Sequence, residues 1–396
     1  MPPRPPLAGT TPTEFLARYW QQKPLLVRSA FPAWRNPLEP EELAGLALEP
    51  DLASRIVEGP LDSPRPWRVR HGPFTEADFT TLPESHWTLL VQEVNHCIPE
   101  VAELLTAFDF LPRWRLDDVM VSYAADGGGV GPHTDSYDVF LIQGLGHRRW
   151  QVAAPGSSTA LTDGLDLQIL TDFEPLHDWV LEPGDMLYLP PGVPHHGTAV
   201  DGPCMTYSVG FRAPSLTELL ASVVEDTLRH TDPTDRYTDP GIAPASHPGW
   251  IGPADLERVR RMLERSLLEP ETIALRFGRL MTERRRGDSA GEPEVGIGPG
   301  RVEAGQVLRS GVPLVRNPTA RWAWADPAGH PLLFADGHAW VLPVGALGLA
   351  SLLAGDASDN PIDREALRHF DRVPEAHEAL LDLLQKGLLS PAEEPR

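Results

Sequence analysis

Cysteine and lysine are almost missing from this 396-residue chain: Cys97 and Cys204 are the only thiols, and Lys23 and Lys386 the only lysines. Two cysteines cannot build a disulfide framework or a thiolate metal cage, so any metal has to be held by histidine and carboxylate. Long apolar runs are missing as well. None approaches the roughly 18 to 20 residues of a membrane span, and the opening MPPRPPLAGTTPTEF has no apolar stretch of a secretory signal. A cytoplasmic location without membrane contact is the expectation. Positive charge is scarce: 34 Lys and Arg face 56 Asp and Glu, a formal charge of −22. Such a chain repels a phosphate backbone and steers cationic partners toward itself. Direct nucleic-acid binding is therefore not expected, and a basic protein suits as partner.

What is present is ordinary globular material, 41% hydrophobic and 23% charged, in a length sufficient for two or three domains. Glu14 to Trp20 has helical spacing, Lys23 to Arg28 reads as a short strand, and helical patterns near Pro40 to Leu48 and Pro99 to Phe108 flank strand-like runs. From Arg115 to Arg212 short strands alternate with Gly and Pro turns without a convincing helix. That pattern belongs to an all-β sandwich or barrel, of which the double-stranded jelly roll is one form. After Pro214 helical periodicity resumes, with Leu219, Leu220, Val223 and Val224 and then Leu256, Val259, Met262, Leu263, Leu267 and Leu268 spaced for apolar faces that could pair with another chain. Residues 287–300 are rich in Gly, Pro and acid and read as a linker. From Arg301 short strand-like pieces (Trp322 to Trp324, Leu332 to Phe334, Ala339 to Leu342) and helical runs (Val344 to Leu353, Ala376 to Leu384) outline a small winged-helix-like domain. The expected division is 1–213, 214–286, 287–300 and 301–396. Acidic residues exceed basic ones in the last segment, which opposes a DNA-binding role for it.

The chemistry is concentrated in two runs. Gly128 to Phe140, GGVGPHTDSYDVF, puts His133 and Asp135 two positions apart, on one face if the segment is extended. About sixty residues downstream, LYLPPGVPHHG delivers His195 and His196 from a strand and a proline-rich turn. The two cannot both face inward, and the residues alone leave the choice open. Two histidines and one carboxylate on one face of a metal leave three positions free, as Fe(II) oxygen chemistry requires, although the same ligands accept manganese, cobalt or nickel. Arg148, fifteen positions after His133, sits where a guanidinium can clasp a carboxylate with two parallel hydrogen bonds. Arg149 should point the other way, as a solvated or paired surface charge, and His147 reads as a turn residue. Asp118, Met120 and Ser122 alternate along one strand, Thr206 and Ser208 along another, and Tyr137 follows Asp135 by two, so each set can line one cavity. An anionic Asp118, the Tyr137 phenol and the Ser208 hydroxyl make a suitable cradle for a guanidinium.

These runs, with Phe15 to Arg28 (FLARYWQQKPLLVR), Trp114 to Tyr123 (WRLDDVMVSY), Gly127 to Trp150 (GGGVGPHTDSYDVFLIQGLGHRRW), Gly184 to His195 (GDMLYLPPGVPH) and Tyr207 to Pro214 (YSVGFRAP), resemble the bacterial JmjC ribosomal oxygenases over nearly the whole chain. The resemblance implies a mainly β fold with α: a JmjC/cupin double-stranded β-helix, a helical dimerisation region that makes a homodimer, and a C-terminal winged helix. It implies Fe(II) on His133, Asp135 and His195, the last chosen because the family ligand directly follows the proline. It implies 2-oxoglutarate and O2 as co-substrates, with Arg148 on the distal carboxylate and Ser122 and Thr206 near co-substrate or iron. Asp118, Met120, Tyr137 and Ser208 would contact a substrate arginine, presented by a basic protein of the large ribosomal subunit. The rival readings are a histidine, asparagine or methyl-lysine oxygenase of the same class, and a non-oxidative metal-binding barrel. An arginine beside the metal strand is required only by the oxygenases, where it holds the co-substrate.

Overall fold

The computed structural model describes residues 7, 9–59, 67–162, 164, 167–245, 247–284, 298–355 and 361–392. The chain divides into two compact units, with the division after Ala213. Most of the stretch expected as a linker, 287–297, lies outside the described residues.

The first unit opens with α1 (Pro12–Arg18), which starts at a reciprocal cap: the Thr11 hydroxyl accepts the Glu14 N–H while the Glu14 carboxylate accepts the Thr11 N–H. Its Phe15 is fully buried, in ring contact with Phe110, Phe140 and Tyr188. There follow β1 (Leu25–Val27), α2 (Pro40–Leu46), β2 (Ser54–Glu58), β3 (Arg68–His71), α3 (Glu76–Thr80), β4 (Trp87–Val91) and α4 (Pro99–Glu103). The barrel strands are β5 (Leu116–Ala124), β6 (Asp138–Ala153), β7 (Pro175–Leu181), β8 (Met186–Leu189) and β9 (His195–Phe211). They assemble in the order β1-β8-β6-β9-β5-β4-β2-β3, with β7 also on β6, all neighbours antiparallel.

Alternation along these strands sorts the side chains. Val119, Val121, Phe140, Ile142, Met205, Tyr207 and Val209 join the main core with Phe15 and the helices. The residues between them, Asp118, Met120, Ser122, Thr206 and Ser208, therefore share the opposite face. The expectation of short strands from Arg115 to Arg212 undercounts two of them, because β6 and β9 run for 16 and 17 residues and pair along most of that length. Two register shifts between Gln143 and His147 interrupt β6 without ending it, so His147, expected in a turn, lies in the strand opposite Val200. A bulge adds a residue and re-aims the side chains after it. Here it sends Arg148 to the barrel interior.

The second unit holds α5 (Leu216–His230), α6 (Pro253–Leu267), α7 (Pro270–Thr282), α8 (Arg301–Ser310), β10 (Leu314–Arg316), β11 (Trp322–Ala325), β12 (Leu332–Ala335), β13 (His338–Val341), α9 (Leu347–Ala354), α10 (Arg364–Leu367), α11 (Pro374–Gln385) and β14 (Leu389–Pro391). Leu308, Leu333, Leu349, Leu353, Leu380 and Leu384 centre its core. The β11-β12-β13 sheet packs Phe334 against Ala274 and Leu275 of α7, so α7 shares apolar surface with the C-terminal strands. Leu216, Leu220, Val224 and Leu228 on α5 and Leu256, Val259 and Leu263 on α6 remain exposed at three- and four-residue spacing. Among the described residues no helix is long and apolar enough to cross a membrane.

Gly146 is the residue the bulge depends on. Its φ is +62°, and a Cβ there would stand 2.1 Å from the Pro203 carbonyl oxygen. Gly146→Ala is expected to lower the unfolding free energy by about 1–3 kcal/mol, as read by urea denaturation.

Candidate metal centre

His133 and Asp135 lie on an extended segment that touches β9 through isolated bridges, Gly129 to Thr198 and His133 to His195, and does not form the regular strand that the H-x-D spacing predicts. The approach is too close for a side chain: a Cβ on Gly129 would come within 2.5 Å of the Gly197 carbonyl oxygen. At the second bridge the His133 N–H donates to the His195 carbonyl at 3.0 Å, and the His195 N–H returns the bond at 2.9 Å.

That reciprocal pair brings the side chains together. The imidazole centroids are 4.3 Å apart. Asp135 lies with Oδ1 3.9 Å from His133 Nε2 and Oδ2 3.5 Å from His195 Nε2. Among the described residues this is the group of histidines and acids able to hold a metal, with one ligand atom from each within 4.8 Å of the others. The Nδ1 atoms are spoken for: His133 Nδ1 lies 3.0 Å from the Gly131 carbonyl and His195 Nδ1 2.9 Å from that of Val193. With Nδ1–H donating to those carbonyls, each Nε2 presents a lone pair to the same point as the carboxylate. Three acceptors facing one another fit a divalent cation. Burial and the neighbouring His195 pull the His133 pKa down to about 4, which keeps the imidazole neutral. Burial works against ionisation of Asp135, but the His195 and His133 imidazoles and the Tyr137 hydroxyl beside it outweigh burial and hold the carboxyl at about 2. Asp135 and burial together raise the Tyr137 phenol well above its usual range. His196 lies outside the triad, its Nε2 3.3 Å from the Thr198 hydroxyl, and burial followed by the Arg148 charge takes it to about 4.

Arg148 enters from β6. It is 3% exposed, its Nη2 donates to the Gly197 carbonyl at 3.2 Å, and the guanidinium lies 5.0 Å from the Trp150 ring centroid. Its buried Nε has no hydrogen-bond partner among the described residues. A buried guanidinium without a carboxylate beside it costs several kcal/mol, and the pocket suits an anionic ligand that supplies one. Arg149 points outward, as the alternation requires, and pairs with Asp178 at the surface.

The remaining candidates share the inner face. Ser122 stands opposite Thr206, and Met120 opposite Ser208, across the β5-β9 ladder. Thr206 donates to the Gln143 side chain at 3.3 Å. Asp118 Oδ2 accepts the Glu93 N–H at 2.8 Å, and its charge, like that of Asp135, is felt at Tyr137. Sequence reasoning missed Gln143, Cys204, whose Sγ lies 3.9 Å from Arg148 Nη1, and Gln168. Gln168 borders a cavity of about 380 Å³ with Thr134, Asp135, Ser136, Tyr137 and Gly192. Its position depends on the loop between β6 and β7 docking on the metal segment, where the Leu170 N–H donates to the Pro132 carbonyl at 2.9 Å. No spacing rule reports such a contact.

A jelly roll with two histidines and a carboxylate on one face defines the class of non-haem oxygenases that keep open metal positions. The comparisons agree with that class. Residues 103–219 match the JmjC domain family. The chain is 40% identical over 303 residues to the ribosomal protein uL16 3-hydroxylase of Escherichia coli K12, covering 76% of this chain and 79% of that one. It is 42% identical over 225 residues to a probable ribosomal oxygenase of Haemophilus influenzae, covering 56% and 54%, so it spans about half of that relative. The crystal structure of E. coli YcfD superposes with a TM-score of 0.80 at 34% identity over 96% of this chain and 97% of the other. Another YcfD structure, in complex with cobalt and 2-oxoglutarate, gives 0.76 at 35% identity with the same coverage. The chain belongs to the JmjC ribosomal oxygenases, protein hydroxylases that use Fe(II) and 2-oxoglutarate.

Removal of the His195 imidazole is expected to abolish tight Mn(II) binding, while His196→Ala retains it. Titration calorimetry with Mn(II) on His195→Ala and His196→Ala checks the assignment, and equal loss in both variants would contradict it.

Proposed function

We propose that this chain hydroxylates the β-carbon of an arginine in ribosomal protein uL16, with His133, Asp135 and His195 as ligands to Fe(II) and Arg148 as anchor for the distal carboxylate of 2-oxoglutarate. The observation that carries the reading is the pairing of a three-acceptor metal triad with a buried arginine whose Nε has no hydrogen-bond partner among the described residues. The E. coli relative, a ribosomal protein uL16 3-hydroxylase, points to the protein substrate. Ferrous iron with 2-oxoglutarate and O2 supplies an oxidant able to replace hydrogen by hydroxyl at an unactivated carbon, with succinate and CO2 as by-products.

The protein's own share is orientation. Arg148, held over Trp150, fixes one end of the diacid, and Thr206 and Ser122 crowd its flank from β9 and β5. Asp118, turned by the Glu93 N–H, presents its carboxylate to a guanidinium. The Ser208 hydroxyl and the Tyr137 phenol complete that cradle, and Met120 presents an apolar wall to the aliphatic stem of the arginine. Holding the side chain at both ends leaves one carbon near the metal, and proximity of this kind is worth several kcal/mol of barrier. The net charge of −22 favours encounter with a basic ribosomal protein, an advantage that shrinks as salt rises. The same charge opposes a nucleic-acid role, and a ribosomal substrate in a bacterial cell implies the cytoplasm. The exposed leucine and valine faces of α5 and α6 are the surface of a homodimer in this reading, since about 25 cal/mol per Å² of buried apolar area favours covering them.

Incubation of large-subunit proteins with the enzyme, Fe(II), 2-oxoglutarate and O2 is expected to add one oxygen to one protein, read by intact mass. Asp118→Ala should lose at least about tenfold in kcat/KM for an arginine peptide while binding Mn(II) normally; survival of full activity would exclude the arginine cradle. By sedimentation at micromolar concentration the mass should be that of two chains, and a double substitution Leu220→Asp with Leu263→Asp should yield one.

A further inference from the structure

One arginine on the pocket face has no role in the proposed reaction. Strand register runs in an unbroken row from Gln143 on β6 through Thr206 on β9, Ser122 on β5 and Leu90 on β4 to Arg55 on β2. Directly paired residues carry their side chains on one face, so Arg55 rises on the same side as Ser122 and Thr206, about 10 Å out from Ser122 along the sheet. Ile56, its neighbour, lies in the opposite core with Val91 and Val121. Among the described residues the buried Arg55 Nε–H has no hydrogen-bond partner. The carboxylate nearest on its own strand, Glu58, is engaged by Arg70 at 3.3 Å.

The two inward arginines act on different groups of the site. The Arg148 charge is felt at His196, whereas that of Arg55 is felt at His133 and Tyr137. Arg148 occupies the sealed end, at 3% exposure. Arg55 is half-buried and acts toward Tyr137, which borders the open cavity with Thr134, Ser136 and Gln168. The diacid already has its cation in Arg148. The group that enters from the open side is the protein substrate, whose main chain offers carbonyl oxygens at every residue.

We infer that Arg55 is a specificity-determining residue for the peptide: its guanidinium donates to a main-chain carbonyl oxygen beside the target residue and turns a cationic side chain away from itself toward Asp118. The inference rests on the proposal that the substrate is an arginine peptide. Attraction at Asp118 and repulsion at Arg55 act together, as discrimination between two bound orientations requires. An arginine suits both tasks, because its fork donates to neutral oxygens and its charge persists at every working pH.

The test uses the full chain, Arg55→Met and Arg55→Lys, with a uL16-derived arginine peptide. Arg55→Met is expected to raise the peptide KM about tenfold, the scale of one hydrogen bond from a charged donor, with a smaller change in kcat. Arg55→Lys should recover part of the loss. The 2-oxoglutarate dissociation constant, measured by calorimetry with Mn(II), should stay within about twofold of wild type in both variants, which also reports that they are folded. An unchanged peptide KM in Arg55→Met overturns the inference. So does a rise in the 2-oxoglutarate constant equal to that in KM, which would make Arg55 a co-substrate ligand. Peptide binding to the Mn(II) and 2-oxoglutarate form is measured in parallel. A wild-type protein that binds the peptide without hydroxylating it refutes the proposed function alone, and one that does not bind it refutes both.

Discussion

Two backbone hydrogen bonds between His133 and His195 hold the site together. They join residues about sixty positions apart, and because each residue both donates and accepts, neither can slide without breaking two bonds. The side chains inherit that fixity. Each imidazole is then tied a second time, Nδ1 to a carbonyl two residues upstream, which sets ring plane and tautomer before any metal arrives. A metal site built on a loop would owe its geometry to the ion. This one owes it to the chain, and the Gly129 approach to Gly197 shows what the chain gives up in side-chain volume to make the contact.

The sheet divides its work by face. One face is close-packed around Phe15, Phe140, Tyr188 and Phe211 and supplies the burial that stabilises the unit. The other carries groups whose hydrogen-bonding capacity is only partly used: the Nε atoms of Arg148 and Arg55, and three acceptors at the triad. Buried polar groups of this kind cost roughly 1–3 kcal/mol each when left unpaired. They persist because strand pairing over-determines their position, and the deficit becomes binding energy when ligands complete them. Pre-organisation is this arrangement seen from the ligand's side.

The parts of this arrangement that were legible in the sequence are those governed by short-range periodicity. The two-residue spacing of His133 and Asp135, the outward turn of Arg149 against the inward Arg148, and the shared face of Asp118, Met120 and Ser122 all follow from strand alternation. Turn spacing pointed to an all-β sandwich or barrel, and the family resemblance made it a jelly roll. Strand length did not follow, because β6 continues through the register shifts between Gln143 and His147. For the same reason His147, expected in a turn, lies within the strand. Gln168 and Arg55 were invisible for a different reason: their relation to the pocket is set by which strand lies beside which, and no local pattern reports that β2 aligns Arg55 with Ser122 through Leu90.

Arginine is the natural cation for such a protein on physical grounds, whatever the origin of its compositional bias. A lysine buried at position 148 would meet a low-dielectric pocket with a pKa free to fall, and on losing its proton would no longer attract a carboxylate. A guanidinium stays charged under the same desolvation and lies over Trp150, so its fork keeps a fixed direction. The same argument applies at the acceptor end. Asp118 is aimed by the Glu93 N–H, which fixes the plane of its carboxylate, and a planar donor matches that plane better than a compact ammonium does. Charge alone would admit any basic side chain. Fixed forks, a carboxylate of set orientation and a row of strands that sets their separation are the physical means by which a site distinguishes among them.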